Sequence, residues 1–148
     1  MTETTFEDLL ARDGVLVYKT RGVSMRPMLR QNRDLVTIEK PAGRLKKYDT
    51  ALYRRGTQYV LHRVIAVREG GYLIRGDNCV ETEQVADGQI LGVLRAFTRD
   101  GKTIPATDRG YCLYVRLWCA LYPVRRVFML ARRTAGRCKR ALAGWWKR

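Results

Sequence analysis

The sequence predicts a mainly β domain that begins with a short helix and ends in a basic amphipathic helix. Three observations support this prediction. Runs rich in Val, Ile, Leu and Tyr, with alternating or block-like apolar patterns, fill much of the first 108 residues, as is typical of strands. Turn dipeptides separate some of these runs. After Asp108 the apolar residues recur with the helical period of about 3.6 residues.

The first predicted element is a helix from Thr5 to Arg12. Thr5 is a typical N-cap residue, and Gly14 follows the segment as a stop signal. Between them, one helical face carries the apolar side chains of Phe6, Leu9 and Leu10.

Seven strands are predicted next, with hairpin turns at Gly70-Gly71 and Asp100-Gly101. The segments 41–47 and 78–89 are predicted to be loops. The predicted strands are Val15–Lys19, Asp34–Glu39, Thr50–Arg54, Tyr59–Val67, Tyr72–Arg75, Ile90–Phe97 and Lys102–Pro105.

The last 40 residues predict an amphipathic helix that Pro123 kinks or divides. Arginines interrupt its apolar run, so it falls short of the roughly 18 to 20 apolar residues of a spanning helix. We expect it to lie on a membrane, with Trp145, Trp146 and the final basic residues as an interfacial anchor. The predicted apolar stripe includes Leu113, Leu117, Ala120, Leu121, Val124, Val127, Phe128, Ala131, Ala135, Cys138 and Leu142, and the opposite arc carries Arg125, Arg126, Arg132, Arg133, Arg137, Lys139 and Arg140.

The charge distribution divides the chain into two parts. The 148 residues carry 29 Lys and Arg against 14 Asp and Glu, and all of the acids precede residue 109. We therefore expect a β domain at residues 1–108 and a cationic helical tail at 109–148, which would bind an anionic membrane surface. Docking of the tail on its own domain is the alternative, and nucleic acid is not expected because no nucleic-acid-binding motif accompanies the charge.

The cysteines and the N-terminus suggest a reduced, unexported protein. Four cysteines without a C-x-x-C pair and a single histidine do not have the spacing of a zinc site, so we expect free thiols and no metal or cofactor. The acidic, polar N-terminus does not resemble an export signal. The expected location is the cytoplasmic side by default, peripheral to a membrane.

Three short segments of the β region carry groups suited to chemistry. They contain Ser24 in a Gly- and Pro-flanked turn, His62 in a strand and Asp77 in a Gly-Asp-Asn turn. A serine becomes a nucleophile when a base within hydrogen-bond reach accepts its proton, and imidazole does so near neutral pH. A carboxylate can then fix the imidazole tautomer.

These segments, in this order, closely resemble the signal peptidase I family, which is related to the LexA-type peptidases. The resemblance spans residues 22–92 and implies that family's β fold. The matching motifs are Ser24-Met25-x-Pro27, Asn32-Arg33-Asp34, Lys47-Tyr48-Asp49, His62-Arg63-Val64-Ile65 and Gly76-Asp77-Asn78. Histidine before Arg-Val-Ile is similar to the endoplasmic reticulum and archaeal branch, whereas the usual bacterial enzymes have lysine there.

The resemblance implies a serine endopeptidase that cleaves an extended leader or signal-type peptide of a preprotein. Ser24 would attack the scissile carbonyl, His62 would accept its proton, and Asp77 would orient His62. Glu81 and Glu83 are alternatives for the orienting acid. Met25 and Pro27 would contact the substrate, and Ala-like residues would be preferred before the cut. Because Gly22 replaces the hydroxyl that some relatives place there, backbone N–H groups would bind the oxyanion.

The resemblance is incomplete in one respect, because signal peptidases have a spanning helix before the nucleophile. The tail would replace that anchor, or the substrate would not be an exported preprotein. Two other functions stay open. One is a LexA-like self-cleaving regulator, which would need a catalytic lysine and a DNA-binding domain. The other is a non-catalytic membrane or nucleic-acid adaptor with a decayed site.

Overall fold

The structure is a computed structural model that describes residues 5–145, with side chains described as far as Arg137. It is mainly β, as predicted, with one short N-terminal helix and two C-terminal helices. The predicted anchor residues at the end of the chain lie outside the described side chains.

The helices and strands follow one another along the chain with the bounds given next. They are α1 (Phe6–Asp13), β1 (Val15–Lys19), β2 (Leu35–Glu39), β3 (Thr50–Arg55), β4 (Gln58–Arg68), β5 (Gly71–Arg75), β6 (Glu83–Ala86), a 3₁₀ turn (Asp87–Gln89), β7 (Ile90–Arg99), β8 (Lys102–Pro105), α2 (Arg109–Ala120) and α3 (Tyr122–Trp145).

The first helix lies within one residue of its predicted bounds, and both of its ends are capped. The Thr5 hydroxyl accepts a hydrogen bond from the Asp8 N–H at 3.2 Å, and the Asp8 carboxylate accepts one from the Thr5 N–H at 3.0 Å. This reciprocal pair is a capping box. Gly14 closes the helix with a left-handed backbone at φ 71°, a conformation that glycine adopts without a steric penalty.

All eight strands pair antiparallel in one sheet, in the order β1-β2-β7-β3-β4-β5-β6, with β8 paired to β7. The seven predicted strands are confirmed within a few residues. The predicted loop at 78–89 is wrong in part, because β6 lies inside it and pairs with β5. Only Val85 of this strand is buried, so its sequence has too little apolar alternation to predict a strand.

The core consists of two apolar clusters that meet at the central strand β3. Leu52 packs in the cluster formed with α1, β1, β2 and β7, whereas Ala51 and Tyr53 pack in the cluster formed with β4, β5 and β6. Successive side chains of a strand point to opposite faces, so both faces of β3 are covered. This buried strand holds its neighbours β4 and β7 in place.

The C-terminal region forms two helices that meet at Leu121. The predicted division near Pro123 is confirmed, and the proline lies in the first turn of α3, where its missing N–H costs no helical hydrogen bond. Asp108 caps α2 by accepting a hydrogen bond from the Tyr111 N–H at 2.8 Å. No helix in residues 5–145 is long and apolar enough to cross a membrane.

The helix α2 docks on the β domain through an aromatic face and not through the predicted apolar stripe. Val115 is buried, Tyr111 and Tyr114 pack against the first core cluster, and Trp118 donates to the Asp77 carbonyl at 3.1 Å. The stripe instead faces solvent. Six of its side chains are more than half exposed: Leu113, Leu117, Leu121, Val124, Val127 and Phe128.

The glycine pair at the β4–β5 turn has two different roles. Gly70 has a left-handed backbone at φ 71°, as a tight turn requires. Gly71 is the first residue of β5, and a methyl group there would collide with the Val85 carbonyl oxygen of β6. Gly71 therefore permits the close approach of the strand that the sequence did not predict.

We expect Gly71→Ala to destabilise the fold by about 1–3 kcal/mol, because the added methyl group must displace backbone of β6. Gly88→Ala is the matched control, since a methyl group there would meet no atom within 4 Å. Urea denaturation of both variants measures the difference. Equal stability of the two variants would contradict the close approach of β5 and β6.

Candidate active site

A cleft of about 1200 Å³ opens between the end of β1 with its following turn and the first half of β4. Ser24 and His62 both line it. Its apolar part includes Phe6 of α1. The centre of the Phe6 ring lies 5.0 Å from the centre of the Tyr18 ring and 4.5 Å from the centre of the Tyr59 ring. The first helix therefore joins the two strands that flank the cleft.

Ser24 lies in a turn that is hydrogen-bonded to the Gly-Asp-Asn segment. The Asn78 N–H donates to the Ser24 carbonyl at 2.7 Å, and the Asn78 side-chain amide donates to the Val23 carbonyl at 3.2 Å. Two of the predicted motifs are thus in direct contact. The backbone position of the candidate nucleophile depends on this segment.

His62 lies on β4 opposite Ala51, and it is only 6% exposed. Its Nδ1 atom lies 3.2 Å from the Tyr53 hydroxyl and 3.7 Å from a carboxylate oxygen of Glu83. Two neighbouring groups therefore face one ring nitrogen. Hydrogen bonding of Nδ1–H to such groups sets the tautomer that leaves Nε2 able to accept a proton.

The other ring nitrogen, the backbone carbonyl of Ser24 and the Cys79 thiol all lie close to Gly76. A methyl group at Gly76 would lie 2.8 Å from the Ser24 carbonyl oxygen and 3.1 Å from His62 Nε2. The Ser24 carbonyl and His62 Nε2 thus flank the same small space, which only a residue without a side chain leaves open. No hydrogen bond joins the two side chains in the part of the chain that the structure describes.

The surroundings of His62 keep its imidazole neutral. Burial, the largest influence, lowers the pKa of His62 below its ordinary value, and the nearby Arg55 lowers it further. The Glu83 carboxylate acts in the opposite direction and raises this pKa, as does Asp77 to a smaller extent. The net shift is downward, so the ring is available as a proton acceptor at neutral pH.

Asp77 is bound to a partner other than His62. Its carboxylate accepts two hydrogen bonds from the Arg63 guanidinium, both at 2.7 Å, and both side chains are almost completely buried. Bidentate pairing of this kind occupies both carboxylate oxygens. The geometry therefore assigns Asp77 a place in a buried ion pair beside the site, and no hydrogen bond joins it to His62.

The two alternative acids are also separated by the structure. Glu81 pairs with Arg133 of α3 on the surface. Glu83 pairs with Arg55 at 2.8 Å and approaches His62 as well. Of the three acidic candidates from the sequence, Glu83 is the one in contact distance of the imidazole.

The two predicted substrate contacts lie in different environments. Met25 lines the cleft but is 5% exposed and packs in the first core cluster. Pro27 is exposed and lies outside the cleft lining, and its carbonyl accepts from Arg99 at 3.3 Å. Met25 is therefore positioned to form the floor of the cleft, whereas Pro27 is not positioned to contact a ligand there.

Tyr53 was not among the residues predicted from the sequence. Gly56 and Thr57 form a tight turn, so Arg55 pairs with Gln58 and the register continues to Ala51 and His62. Because Ala51 pairs with His62, and Tyr53 lies two residues after Ala51, Tyr53 and His62 are diagonal neighbours on the same face of the strand pair. Such neighbours lie within reach of an aromatic side chain. The register of this hairpin is the signal that would have placed Tyr53 beside His62.

No model of a known protein family matches this chain, and a search of curated proteins finds no match either. The geometry and chemistry of the cleft are therefore the basis for assigning a function.

Proposed function

We propose that this protein is a serine endopeptidase that cleaves an extended leader or signal-type peptide at a membrane surface. Within this proposal the β domain has the signal peptidase or LexA type of fold. The observation that carries the proposal is that Ser24 and His62 line the same cleft, with the Ser24 carbonyl and His62 Nε2 both beside Gly76 and His62 Nδ1 facing Tyr53 and Glu83. This arrangement has the parts of an activated serine.

The proton transfers follow from the state of the imidazole. Neutral His62 accepts the Ser24 hydroxyl proton at Nε2 while Ser24 Oγ forms a bond to the scissile carbonyl carbon. The imidazolium then gives this proton to the leaving amine as the C–N bond breaks. Water, deprotonated by the same nitrogen, hydrolyses the acyl-enzyme and restores both residues.

Glu83 and Tyr53 act on the imidazolium that forms in this step. With Nδ1 protonated, His62 donates to the Tyr53 hydroxyl, and the Glu83 carboxylate at 3.7 Å offsets the new positive charge. We therefore propose Glu83 as the acid that orients His62, in preference to Asp77. Burial of the ring strengthens this electrostatic effect, because less water screens it.

The backbone at the nucleophile supplies a group for the oxyanion. The Ser24 N–H donates to no protein acceptor among the described residues, and Gly22, two residues earlier, has no side chain to cover it. A substrate carbonyl bound at this N–H gains a hydrogen bond that strengthens as negative charge develops on the oxygen.

The substrate would bind as an added strand. β1 is an edge strand with one partner, and the first half of β4 pairs only with β3, because β5 joins β4 from Arg63 onward. Both free edges border the cleft. An extended peptide in the cleft can therefore satisfy its backbone hydrogen bonds at a strand edge and present one peptide bond to Ser24.

The tail supports the membrane part of the proposal. In a helix docked on its own domain, the apolar face is normally turned inward, but here the apolar stripe of α2 and α3 faces solvent and exposed arginines flank it. Arg116, Arg126, Arg132 and Arg137 are among these exposed cations. An exposed apolar stripe beside exposed cations fits an anionic lipid surface, with the stripe in the acyl boundary and arginines at the headgroups.

We expect Ser24→Ala and His62→Ala each to lower peptide cleavage by about 1000-fold or more, because each removes one member of the nucleophile and base pair. The measurement is cleavage of a peptide library, together with labelling by a fluorophosphonate. Ser24 is the only serine of the chain, so labelling is unambiguous.

Thr57→Ala removes an exposed hydroxyl from the β3–β4 turn and is the control for loss of a hydroxyl. Circular dichroism should show all three variants folded. Unchanged cleavage by either site variant would refute the mechanism. A wild-type protein that neither cleaves nor is labelled would favour the adaptor function.

Substitution of the two acids distinguishes their roles. Glu83→Gln should lower kcat by about tenfold or more, since unit charges near 4 Å interact by roughly 1 kcal/mol in bulk water and roughly 4 kcal/mol at the dielectric of a protein surface. Because Glu83 raises the pKa of His62, its loss should lower that pKa further. In wild type, kcat/KM should fall as the pH drops through a pKa below the ordinary histidine value of about 6.5, and in Glu83→Gln this fall should occur at lower pH.

Asp77→Asn should instead destabilise the fold by about 3–5 kcal/mol, because it leaves the buried Arg63 charge without a counter-charge. Thermal unfolding and pH profiles of both variants separate the two effects. The opposite result would be a stable Asp77→Asn protein with an altered His62 pKa and a Glu83→Gln protein with unaltered activity and His62 pKa. It would show that Asp77, and not Glu83, orients His62.

Membrane binding depends on the stripe as well as on the charge. We expect Val127→Asp and Phe128→Asp, at positions that are each 67% exposed, to weaken binding to phosphatidylserine-containing vesicles by about tenfold or more. Val67→Asp, at a 41% exposed position on β4, is the matched control. Co-sedimentation at low and high salt measures the affinity, and equal binding by all variants would show that the stripe is not the lipid-binding surface.

A further inference from the structure

The C-terminal helices contact the loop of residues 77–81, which we call the site loop. Tyr122 of α3 donates from its hydroxyl to the Val80 carbonyl at 2.6 Å, and Arg125 donates to the Asp77 carbonyl at 2.9 Å. Trp118 of α2 donates to the same Asp77 carbonyl. The two helices thus satisfy two backbone carbonyls of this loop.

The side chains that make these contacts are themselves stacked against neighbouring side chains. The Arg125 guanidinium lies 3.8 Å from the centre of the Trp118 ring and donates to the Trp118 carbonyl at 2.8 Å. The Arg75 guanidinium lies 3.2 Å from the centre of the Tyr122 ring. Stacked cation–π pairs of this kind restrict the rotamers of both partners. The contacts to the site loop are therefore made by preorganised groups.

The site loop in turn holds the nucleophile. Asn78 lies between the two clamped carbonyls, and its N–H donates to the Ser24 carbonyl while its side chain donates to the Val23 carbonyl. A continuous chain of hydrogen bonds thus runs from α3 through the site loop to the Ser24 turn. The catalytic geometry depends on such positioning, because small displacements of a nucleophile cost large factors in rate.

We propose that Tyr122 and Arg125 are positioning residues for Ser24, so that the C-terminal helices form part of the catalytic unit. The consequence for Ser24 rests on the proposed peptidase function. The tail then has two roles on different faces: its outward stripe offers a surface for lipid, and its inward polar side chains fix the site loop. The inward role explains why Arg125, from the predicted cationic arc, points toward the domain.

Hydrogen exchange of the Asn78 amide tests this proposal without requiring activity. Tyr122→Phe keeps the ring on Arg75 and removes only the hydroxyl, whereas Arg125→Gln removes one of the two donors to the Asp77 carbonyl and leaves Trp118 as the other. In the full chain, we expect each change to speed exchange at Asn78 by about tenfold, the effect of losing one hydrogen bond. Exchange at Val36 and Leu94, in the core strands, should stay within about twofold.

Arg126→Gln is the matched control, because Arg126 is the exposed neighbour on the same helix. Arg125→Lys, which keeps a charge and a donor, should restore part of the protection. Faster exchange at Asn78 alone supports the proposal. Unchanged exchange at Asn78, or equally faster exchange in the core strands, overturns it, because the helices then hold nothing specific or only stabilise the whole fold.

Kinetics provide the link to catalysis. For a peptide that wild type cleaves, Tyr122→Phe and Arg125→Gln should lower kcat by about tenfold and leave KM within about threefold, since they displace the nucleophile and not the binding edges. A rise in KM at constant kcat overturns the positioning role. Absence of cleavage by wild type would reject the proposed peptidase, while the exchange result would still decide whether the helices hold the Ser24 turn.

Discussion

The ion pair between Arg63 and Asp77 is the interaction on which the candidate site depends. Arg63 is 0% exposed and Asp77 is 5% exposed, and such a pair is stable only when its remaining hydrogen bonds are satisfied. The partners of Arg63 meet this condition, since it also donates to the Tyr48 carbonyl and the Tyr111 hydroxyl. Arg63 follows His62 in the chain and Asp77 follows Gly76. The ion pair therefore ties the strand of His62 to the loop that is hydrogen-bonded to the Ser24 turn.

Most of the strands could be predicted because their apolar alternation records which face is buried. Short turns join β3 to β4, β4 to β5 and β7 to β8, whereas the pairing of β7 with β2 and β3 joins segments that are far apart in the sequence. The strand β6 lacks this record, since only Val85 among its four residues is buried, and its place is set by backbone pairing with β5 across Gly71. A mostly exposed edge strand has little apolar pattern, so its existence depends on contacts that a sequence pattern does not show.

Because β6 was not predicted, the sequence did not decide which acid lies beside His62. Asp77 and Glu83 both follow β5, and the Gly-Asp-Asn motif favours Asp77. Glu83 of β6 pairs with Ile74 of β5, and its carboxylate lies near His62 of β4, whereas Asp77 pairs with Arg63. The motifs thus identified Ser24 and His62 as candidate nucleophile and base, and the Gly-Asp-Asn segment that contacts the Ser24 turn. The partner of the base depends on strand register, which fixes which side chains share a face.

The C-terminal helices show how one amphipathic segment can serve two surfaces. Burying Arg125 against Trp118 and the Asp77 carbonyl desolvates a charged group, while leaving Val127 and Phe128 in water forgoes about 1.5–3 kcal/mol of burial for each side chain. A fold selected for the stability of the isolated domain would favour the reverse orientation. This orientation becomes favourable when another apolar medium, such as the acyl chains of a membrane, covers the stripe. The contacts of Arg125 with the domain are then kept, and Val127 and Phe128 are no longer exposed to water. In the proposed enzyme, the helices that contact lipid would therefore be the same helices that hold the nucleophile turn.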